Sequence, residues 1–262
     1  MLSSRRSIIA IPFLLALAFA GVACGNSESS SPGEPSLAED GSGGVYLALG
    51  DSIAAGSGSS DAATTSYAAL VAEALRARFG PGLELRSLAV ASHTSQDLID
   101  QQLPQAVEQL RKGAVQLVTL TIGGNDLGQY GADPACLPDP SDPACPLEDG
   151  LLDVEERLSL ILQELREAGP DTAIVIMAYP NLFSGTGHEF DRPAEIAFDL
   201  LDGVITSVAR RHDVLVADPR RDFIGEGHRL SHLRDRTPDA HPNDAGYRVI
   251  AQAFLEALGL AD

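Results

Sequence analysis

The feature of this chain that most constrains its fold is a regular alternation of short apolar runs with longer amphipathic segments. Residues 115–122 and 172–178 are continuous runs of mostly β-branched and aliphatic residues, which is typical of strands buried on both faces. Residues 152–168, between those runs, carry apolar side chains at helical spacing. Strands that alternate with helices predict parallel βαβ units. We therefore expect an α/β fold, a three-layer α/β/α sandwich around a parallel sheet of about five strands.

Each element of this alternation has a predicted place on the chain. The strands are predicted over residues 45–49, 83–90, 115–122, 172–178 and 214–217. The helices are predicted over residues 67–78, 95–112 (interrupted by Pro104), 152–168, 194–211 and 243–258, the last capped by Asn243 or Asp244. In parallel sheets, sites form at the carboxyl ends of the strands, so polar residues that follow a strand are the candidates.

The charge balance limits the partners of this chain. Its 18 Lys and Arg residues stand against 37 Asp and Glu residues, for a formal net charge of -19. A surface of this sign repels phosphate backbones and anionic headgroups, so we expect no nucleic-acid partner. Patterned sequence over residues 45–262 is long enough to bury one sizeable core, and we expect a single domain that is a monomer.

The N-terminus has the layout of an export signal. Residues 1–6 are basic, residues 8–20 are apolar, and small residues precede Cys24. A lone cysteine in this position resembles the lipobox of bacterial lipoproteins, which predicts a signal peptide over residues 1–23 and lipid attachment at Cys24. Residues 24–44, rich in Ser, Gly, Glu and Pro, then form a flexible tether. We expect a protein held on the extracytoplasmic side of the membrane through this lipid only, with ordinary secretion as the alternative.

Two further cysteines agree with export. Cys136 and Cys145 flank a short stretch rich in proline. In an oxidising compartment, two cysteines this close along the chain predict a disulfide that closes a local loop, and two free thiols are the alternative. Because no histidine lies close to them in the sequence, a metal site there would lack ligands.

Polar residues of a particular kind follow the predicted strands. Ser52 comes directly after the first strand, Ser92 after the second and Asn125 after the third, while His241 lies near the C-terminus. A serine becomes a nucleophile when an adjacent base accepts its proton, and His241 is the best-placed candidate. A side-chain amide such as that of Asn125 can donate to the oxyanion that develops in acyl transfer. The pattern therefore predicts acyl-transfer chemistry at the carboxyl edge of the sheet.

Three motifs give this pattern a family resemblance. They are LALGDSIAAG around Ser52, IGGNDL around Asn125 and DAHPNDAGYRVIA around His241. In this order and at these strand ends, they resemble the blocks of the SGNH hydrolases, the GDSL esterase/lipase family, across residues 45–258. The resemblance implies the three-layer fold and the hydrolysis of ester or related acyl bonds through an acyl-serine intermediate. It implies neither a cofactor nor a metal.

The same resemblance implies a role for each matching position. Ser52 is the nucleophile, and its backbone N–H is one oxyanion donor. Asn125 is the side-chain oxyanion donor, with Gly123 permitting close approach, and Asp51 is a supporting residue. His241 is the base that later protonates the leaving alcohol.

Two positions depart from the family pattern. Where the second block normally supplies a glycine N–H to the oxyanion hole, this chain has Ser92. We expect Ser92 to serve as that donor if its turn needs no glycine geometry. Where the pattern DxxH puts the acid, this chain has Pro238, and the nearest carboxylate is Asp239. Either Asp239 orients His241, or a backbone carbonyl does so and leaves a dyad of Ser52 and His241.

The resulting hypothesis is an exported serine esterase acting on a small-molecule or lipid ester. A lipase or phospholipase acting at the membrane is one alternative, because the tether would hold the enzyme at its substrate. A catalytically silent SGNH-fold binding domain is another, because of the departures at Ser92 and Pro238. The remaining histidines lie in loop-like or charged stretches and are predicted to be solvated surface residues: His188, His212, His228 and His232.

Overall fold

A computed structural model gives the fold over residues 43–130 and 147–261. Within these residues the predicted architecture is confirmed, with a five-stranded parallel sheet and helices packed around it. The predictions for the signal segment, Cys24, nearly all of the tether and the pair Cys136 and Cys145 lie outside the described residues.

The sheet and the helices follow one another along the chain as the alternation predicts. The strands of the sheet are β1 (Val45–Gly50), β2 (Glu84–Ser87), β3 (Val115–Thr121), β4 (Ala173–Met177) and β5 (Leu215–Ala217), in the spatial order β2-β1-β3-β4-β5. A separate antiparallel hairpin pairs β6 (Ser231–His232) with β7 (Asp239–Pro242). The helices are α1 (Tyr67–Phe79), α2 (Ser95–Asp97), α3 (Leu103–Arg111), α4 (Gly124–Tyr130), α5 (Leu147–Ala168), α6 (Asp191–Arg211), α7 (Arg220–Phe223), α8 (Gly227–Leu230) and α9 (Asp244–Ala257).

The helices form two groups that enclose the sheet. In one group α1 packs against α9, and in the other α5 packs against α3 and α6. Between α1 and α9 the rings of Tyr67 and Phe254 stack with centroids 4.6 Å apart. The strands β1, β3 and β4 are almost completely buried, which explains why their sequences are continuous apolar runs and not alternating ones.

The second strand is shorter than the sequence predicts. It covers Glu84–Ser87 instead of residues 83–90, and it lies at the edge of the sheet, paired with β1 alone. Val90 is 43% exposed, so the apolar residues after β2 belong to a loop at the surface. Apolar character alone therefore overestimated the length of this edge strand.

The helix predicted over residues 95–112 is divided before Pro104. A π-helical turn, Leu98–Gln102, separates α2 from α3, and Pro104 lies in the first turn of α3. Proline has no N–H and cannot continue a regular helical ladder, so the chain changes its winding immediately before it. This turn directs the side chain of Gln102 into the interior, where it is 1% exposed.

The last helix begins as predicted, with Asn243 as its cap. The side chain of Asn243 accepts hydrogen bonds from the N–H groups of Ala245 (2.9 Å) and Gly246 (3.1 Å). The alternative cap, Asp244, instead accepts bonds from the N–H and hydroxyl of Ser60. These contacts join the C-terminal motif to the segment that follows β1.

Candidate active site

The ends of four parallel strands meet at one cavity. Ser52 follows β1, Ser92 follows β2, Asn125 follows β3 and Tyr179 follows β4, and all four line a cavity of about 300 Å³. His241, from β7, lines the same cavity. The structure therefore brings Ser52, Ser92, Asn125 and His241, which the sequence singled out, to one cavity at the carboxyl ends of the parallel strands.

The carboxylate of Asp51 fixes the turn that carries Ser52. It is buried and accepts hydrogen bonds from the N–H of Ile53 (3.0 Å), the hydroxyl of Thr121 (2.8 Å) and the hydroxyl of Tyr179. Burial raises the pKa of this carboxyl above its ordinary value, and the three donors oppose that shift. Because its donors lie after β1, on β3 and after β4, this one group ties three strand ends together.

Gln102 is a second support of the same turn, which the sequence analysis missed. Its Nε2 donates to the carbonyl of Gly50, and its Oε1 accepts from the N–H of Gly50, both at 2.8 Å. The same Nε2 donates to Nδ1 of His93 at 3.0 Å, which places the proton of a neutral His93 ring on Nε2. The last residue of β1 is thereby held on both of its backbone groups.

A signal for Gln102 does exist in the sequence. Leu98, Gln102 and Ala106 are spaced by four residues, and all three side chains are buried. A polar residue on an otherwise apolar helical stripe must find hydrogen-bond partners inside the protein. That position therefore indicates a buried contact, although the sequence does not identify the partner.

Asn125 lines the same cavity as Ser52. Its Nδ2 donates to the carbonyl of His93 at 2.9 Å, and since an amide nitrogen carries two hydrogens, one is left to donate elsewhere. Gly123, two residues before Asn125, has a φ of 116°, which favours glycine, so it provides the backbone turn out of β3. Asp126 accepts from the N–H (2.9 Å) and hydroxyl (2.5 Å) of Ser95 and so holds α2 against α4.

The backbone at Ser92 differs from the expected geometry. Its φ is 67°, so the turn does need the left-handed geometry that glycine adopts easily, and a serine adopts it here. The Ser92 side chain is exposed, while the next residue is buried and fixed by Gln102 and Asn125. The neighbouring contacts therefore hold Ser92 in a conformation that its own Cβ disfavours. Because the serine adopts the backbone geometry of a glycine, its N–H stays a candidate donor although the turn does not meet the expected condition.

His241 and Asp239 both lie on the hairpin. Nδ1 of His241 is 2.5 Å from Oδ1 of Asp239, so a carboxylate, and not a backbone carbonyl, meets this nitrogen. In a strand, residues two apart point to the same side, and β7 holds both residues. The strand conformation thus compensates for the one-residue shift of the acid relative to the family pattern. Over the part of the chain that the structure describes, Ser52 and His241 make no hydrogen bond to each other.

Two histidines predicted to be solvated are partly buried and make hydrogen bonds within the protein. His232 is half-buried, with Nδ1 2.6 Å from Oδ2 of Asp235 and Nε2 2.7 Å from the carbonyl of Gly58. His212 has its Nε2 2.8 Å from the hydroxyl of Ser159. Loop-like sequence does not reveal the contacts with Gly58 and Ser159, because these two partners come from distant segments. The other two histidines, His188 and His228, are exposed as predicted.

Two features are absent from the described ranges, 43–130 and 147–261. No helix there is both long and apolar enough to cross a membrane. No group of three or more His, Cys, Asp or Glu side chains there is arranged to hold a metal ion.

The fold and the cavity define a class of hydrolytic enzymes built on a three-layer α/β/α sandwich, with polar residues gathered at the ends of its parallel strands. The sequence profile of the GDSL-like Lipase/Acylhydrolase family matches residues 48–249. The chain belongs to this family and is a hydrolase of the esterase and lipase type. A search of curated proteins found no match to this chain.

Solved structures with the same fold come from several bacteria. A variant of an acetyl xylan esterase from Geobacillus stearothermophilus superposes with a TM-score of 0.62 at 23% identity, covering 86% of this chain and 99% of that one. Phospholipase A1 from Streptomyces albidoflavus NA297 gives 0.61 at 24% identity, covering 84% and 99%. An extracellular lipase from Streptomyces rimosus gives 0.63 at 22% identity, covering 84% and 100%. At these identities the likeness shows the fold alone.

The geometry of Ser92 predicts the effect of replacing it. Ser92→Gly removes the Cβ that makes the left-handed conformation cost about 1–2 kcal/mol, and glycine's greater unfolded-state entropy offsets about 0.5–1 kcal/mol of that gain. The free energy of unfolding should therefore rise by up to about 1 kcal/mol, or a few degrees in Tm. Thermal unfolding checks this, with Ser92→Ala as the control that keeps the Cβ and should gain nothing. A lower Tm for Ser92→Gly would contradict the assignment of backbone strain to Ser92.

Proposed function

We propose that this chain is an exported serine esterase that hydrolyses carboxylic esters through an acyl-serine intermediate. The observation that carries the proposal is the pairing of His241 with Asp239 at a cavity that Ser52 and Asn125 also line. A base held by a carboxylate beside a serine and an amide donor is the arrangement that nucleophilic acyl transfer requires. Membership of the acylhydrolase family supports the same chemistry.

In the proposed first step, Ser52 Oγ attacks the ester carbonyl while Nε2 of His241 accepts the serine proton. Asp239 keeps the other ring proton on Nδ1, which leaves Nε2 free to accept, and its negative charge stabilises the imidazolium. The tetrahedral intermediate then collapses as the C–O bond to the alcohol breaks, and His241 returns the proton to that alcohol. In the second half, His241 takes a proton from water, the resulting hydroxide attacks the acyl-serine, and Ser52 leaves as the protonated hydroxyl.

Three donors are proposed for the oxyanion. They are the backbone N–H groups of Ser52 and Ser92 and the remaining hydrogen on Nδ2 of Asn125. All three residues line the cavity, and the bond from Asn125 to the carbonyl of His93 fixes the orientation of the amide before substrate arrives. Donors that need no reorganisation stabilise the developing charge most effectively, and loss of one such donor typically costs about 10²–10³ in kcat.

The cavity favours a small ester over a long-chain lipid. Its volume of about 300 Å³ is at the lower end of the range for ligand sites. Apolar side chains line part of it, namely Ile53, Leu182 and Phe198, which suits the acyl part of a substrate. Hydrolysis rates on p-nitrophenyl esters of increasing acyl length distinguish the esterase from the lipase alternative. The esterase predicts a maximum at short chains, and the lipase predicts one at long chains.

Alanine variants test the serine–histidine pair. Ser52→Ala and His241→Ala should each lower kcat on p-nitrophenyl acetate by a factor on the order of 10³ or more, and the double variant should lose little more, because the two groups act as a unit. Circular dichroism controls for folding. Additive losses in the double variant would contradict the pairing, and an inactive wild-type protein would favour the silent binding domain.

A second prediction concerns the acid. Asp239→Asn keeps the shape of the side chain and removes its charge, so kcat should fall by a factor on the order of 10²–10⁴ with KM little changed. Asp171 is an exposed carboxylate just before β4, at the end of the sheet away from the cavity. Asp171→Asn is therefore the matched control and should leave kcat unchanged. A loss of less than about tenfold for Asp239→Asn would reduce the catalytic group to a dyad of Ser52 and His241.

Export and lipid attachment are also part of the proposal. The apolar run and small residues before Cys24 support cleavage after residue 23 and acylation of Cys24. Mass spectrometry of the full-length protein expressed in bacteria should show a mature chain that begins at Cys24 and carries acyl groups. The same spectrum, taken before and after reduction, should show a gain of two hydrogens if Cys136 and Cys145 form a disulfide. An unmodified Cys24 in the mature chain would overturn the lipoprotein assignment.

A further inference from the structure

We propose that His232, in its doubly protonated form, is a positioning residue that fixes the hairpin of His241 against the turn of Ser52. This inference rests on the proposed function, because it concerns the alignment of the same two groups. His232 lies on β6, where it pairs opposite Asp239 on β7. It therefore belongs to the element that carries the base and the acid, yet its ring reaches a different segment of the chain.

The hydrogen bonds of the ring identify its charge state. Nε2 is 2.7 Å from the carbonyl oxygen of Gly58, and a carbonyl can only accept, so Nε2 carries a proton. Nδ1 is 2.6 Å from Oδ2 of Asp235, and an ionised carboxylate also only accepts. Both nitrogens must therefore donate, which requires the imidazolium form of His232.

Gly58 is the point where the turn of Ser52 meets the hairpin. A Cβ at this position would lie 2.7 Å from the carbonyl oxygen of Pro242 and 2.8 Å from Cβ of His241, so only a glycine permits this approach. One residue earlier, Ser57 donates its N–H to the carbonyl of Ser52 at 2.9 Å. Gly58 thus follows a residue bonded to Ser52 and packs directly against the strand that carries His241.

The surrounding charges favour the protonated ring. The bond to Asp235 raises the pKa of His232 above its ordinary value, with smaller contributions from the carbonyl of Gly58 and the charges of Asp235 and Asp239, while partial burial opposes them. The bonded cation therefore stabilises the fold below pH 6.5, and this contribution is lost as the pH rises through the raised pKa. When the His232 ring loses one proton, the remaining proton stays on Nδ1, because the Asp235 carboxylate is a stronger acceptor than the Gly58 carbonyl. Nε2 then faces the Gly58 carbonyl without a hydrogen.

Other bonds hold the same segment, which limits the expected effect. Tyr247 donates to the carbonyl of Ser57 at 2.6 Å, and Asp244 accepts from Ser60. Loss of the His232 contact should therefore leave the protein folded and change only the relative position of Ser52 and His241. Small displacements of reacting groups reduce kcat strongly, and we expect a loss on the order of tenfold with KM little changed.

Two near-isosteric variants separate the two ring nitrogens. In His232→Gln the amide nitrogen occupies the place of Nε2 and can still donate to Gly58, whereas in His232→Asn it occupies the place of Nδ1 and cannot. On p-nitrophenyl acetate, His232→Gln should keep kcat within about twofold of wild type, and His232→Asn should lose on the order of tenfold. Equal kcat values for both variants and the wild type, with unchanged Tm, would overturn the proposal.

The pH dependence gives a readout that a merely structural role would not move. Wild-type kcat should fall on the alkaline side as His232 loses its proton, and His232→Gln should lack this limb because it does not titrate. Asp235→Asn removes the main cause of the raised pKa, so it should move the limb to lower pH without changing a proposed catalytic group. An alkaline limb that is identical in all three proteins would contradict the proposal.

A measurement without substrate separates this proposal from the proposed function. The ring ¹⁵N signals of His232, assigned by their absence in His232→Gln, should show both nitrogens protonated at pH 6.5 and titration at higher pH. If the ring is protonated and the wild type hydrolyses no ester, the proposed function fails while the charged contact stands. If the enzyme is active and the ring is neutral at pH 6.5, the positioning role fails alone.

Discussion

The site depends on the buried carboxylate of Asp51, which accepts hydrogen bonds from donors at three neighbouring strand ends. Where parallel strands end, their terminal polar groups still need hydrogen-bond partners, and here a single side chain accepts three of those bonds. Tyr179 extends the connection, because its N–H donates to Asp202 at 2.8 Å, and Arg220 lies 3.0 Å from that carboxylate. Burial raises the pKa of Asp202 to about 7, while the bond from Tyr179 and the charge of Arg220 oppose this shift.

Much of this arrangement follows from the sequence. Buried parallel strands leave continuous apolar runs, so β1, β3 and β4 were predictable to within one residue at each end. The strand-end position of Ser52 and Asn125 then placed them at one edge of the sheet without further information. The predicted acid, Asp239, meets its histidine because the chain there is extended and side chains two apart share a side.

Other features could not be predicted, for identifiable reasons. The hairpin β6–β7 consists of very short strands, too short to show an alternation of polar and apolar residues. The left-handed backbone of Ser92 is imposed by contacts of its neighbour, and a serine in the sequence gives no sign of it. The contacts of His232 with Gly58 and of Gln102 with Gly50 join residues far apart in the chain, and these partners are backbone groups, which leave no trace in side-chain identity.

The hairpin makes Asp239 and His241 a single unit. Both residues lie on β7 and meet at 2.5 Å, whereas β6 pairs irregularly with this strand, Ser231 with Pro242 and His232 with Asp239. A displacement of the hairpin therefore carries both side chains together and leaves the contact between them intact. What such a displacement changes is the distance from His241 to Ser52, so the orientation of the imidazole is set on the hairpin, independently of the position of the serine.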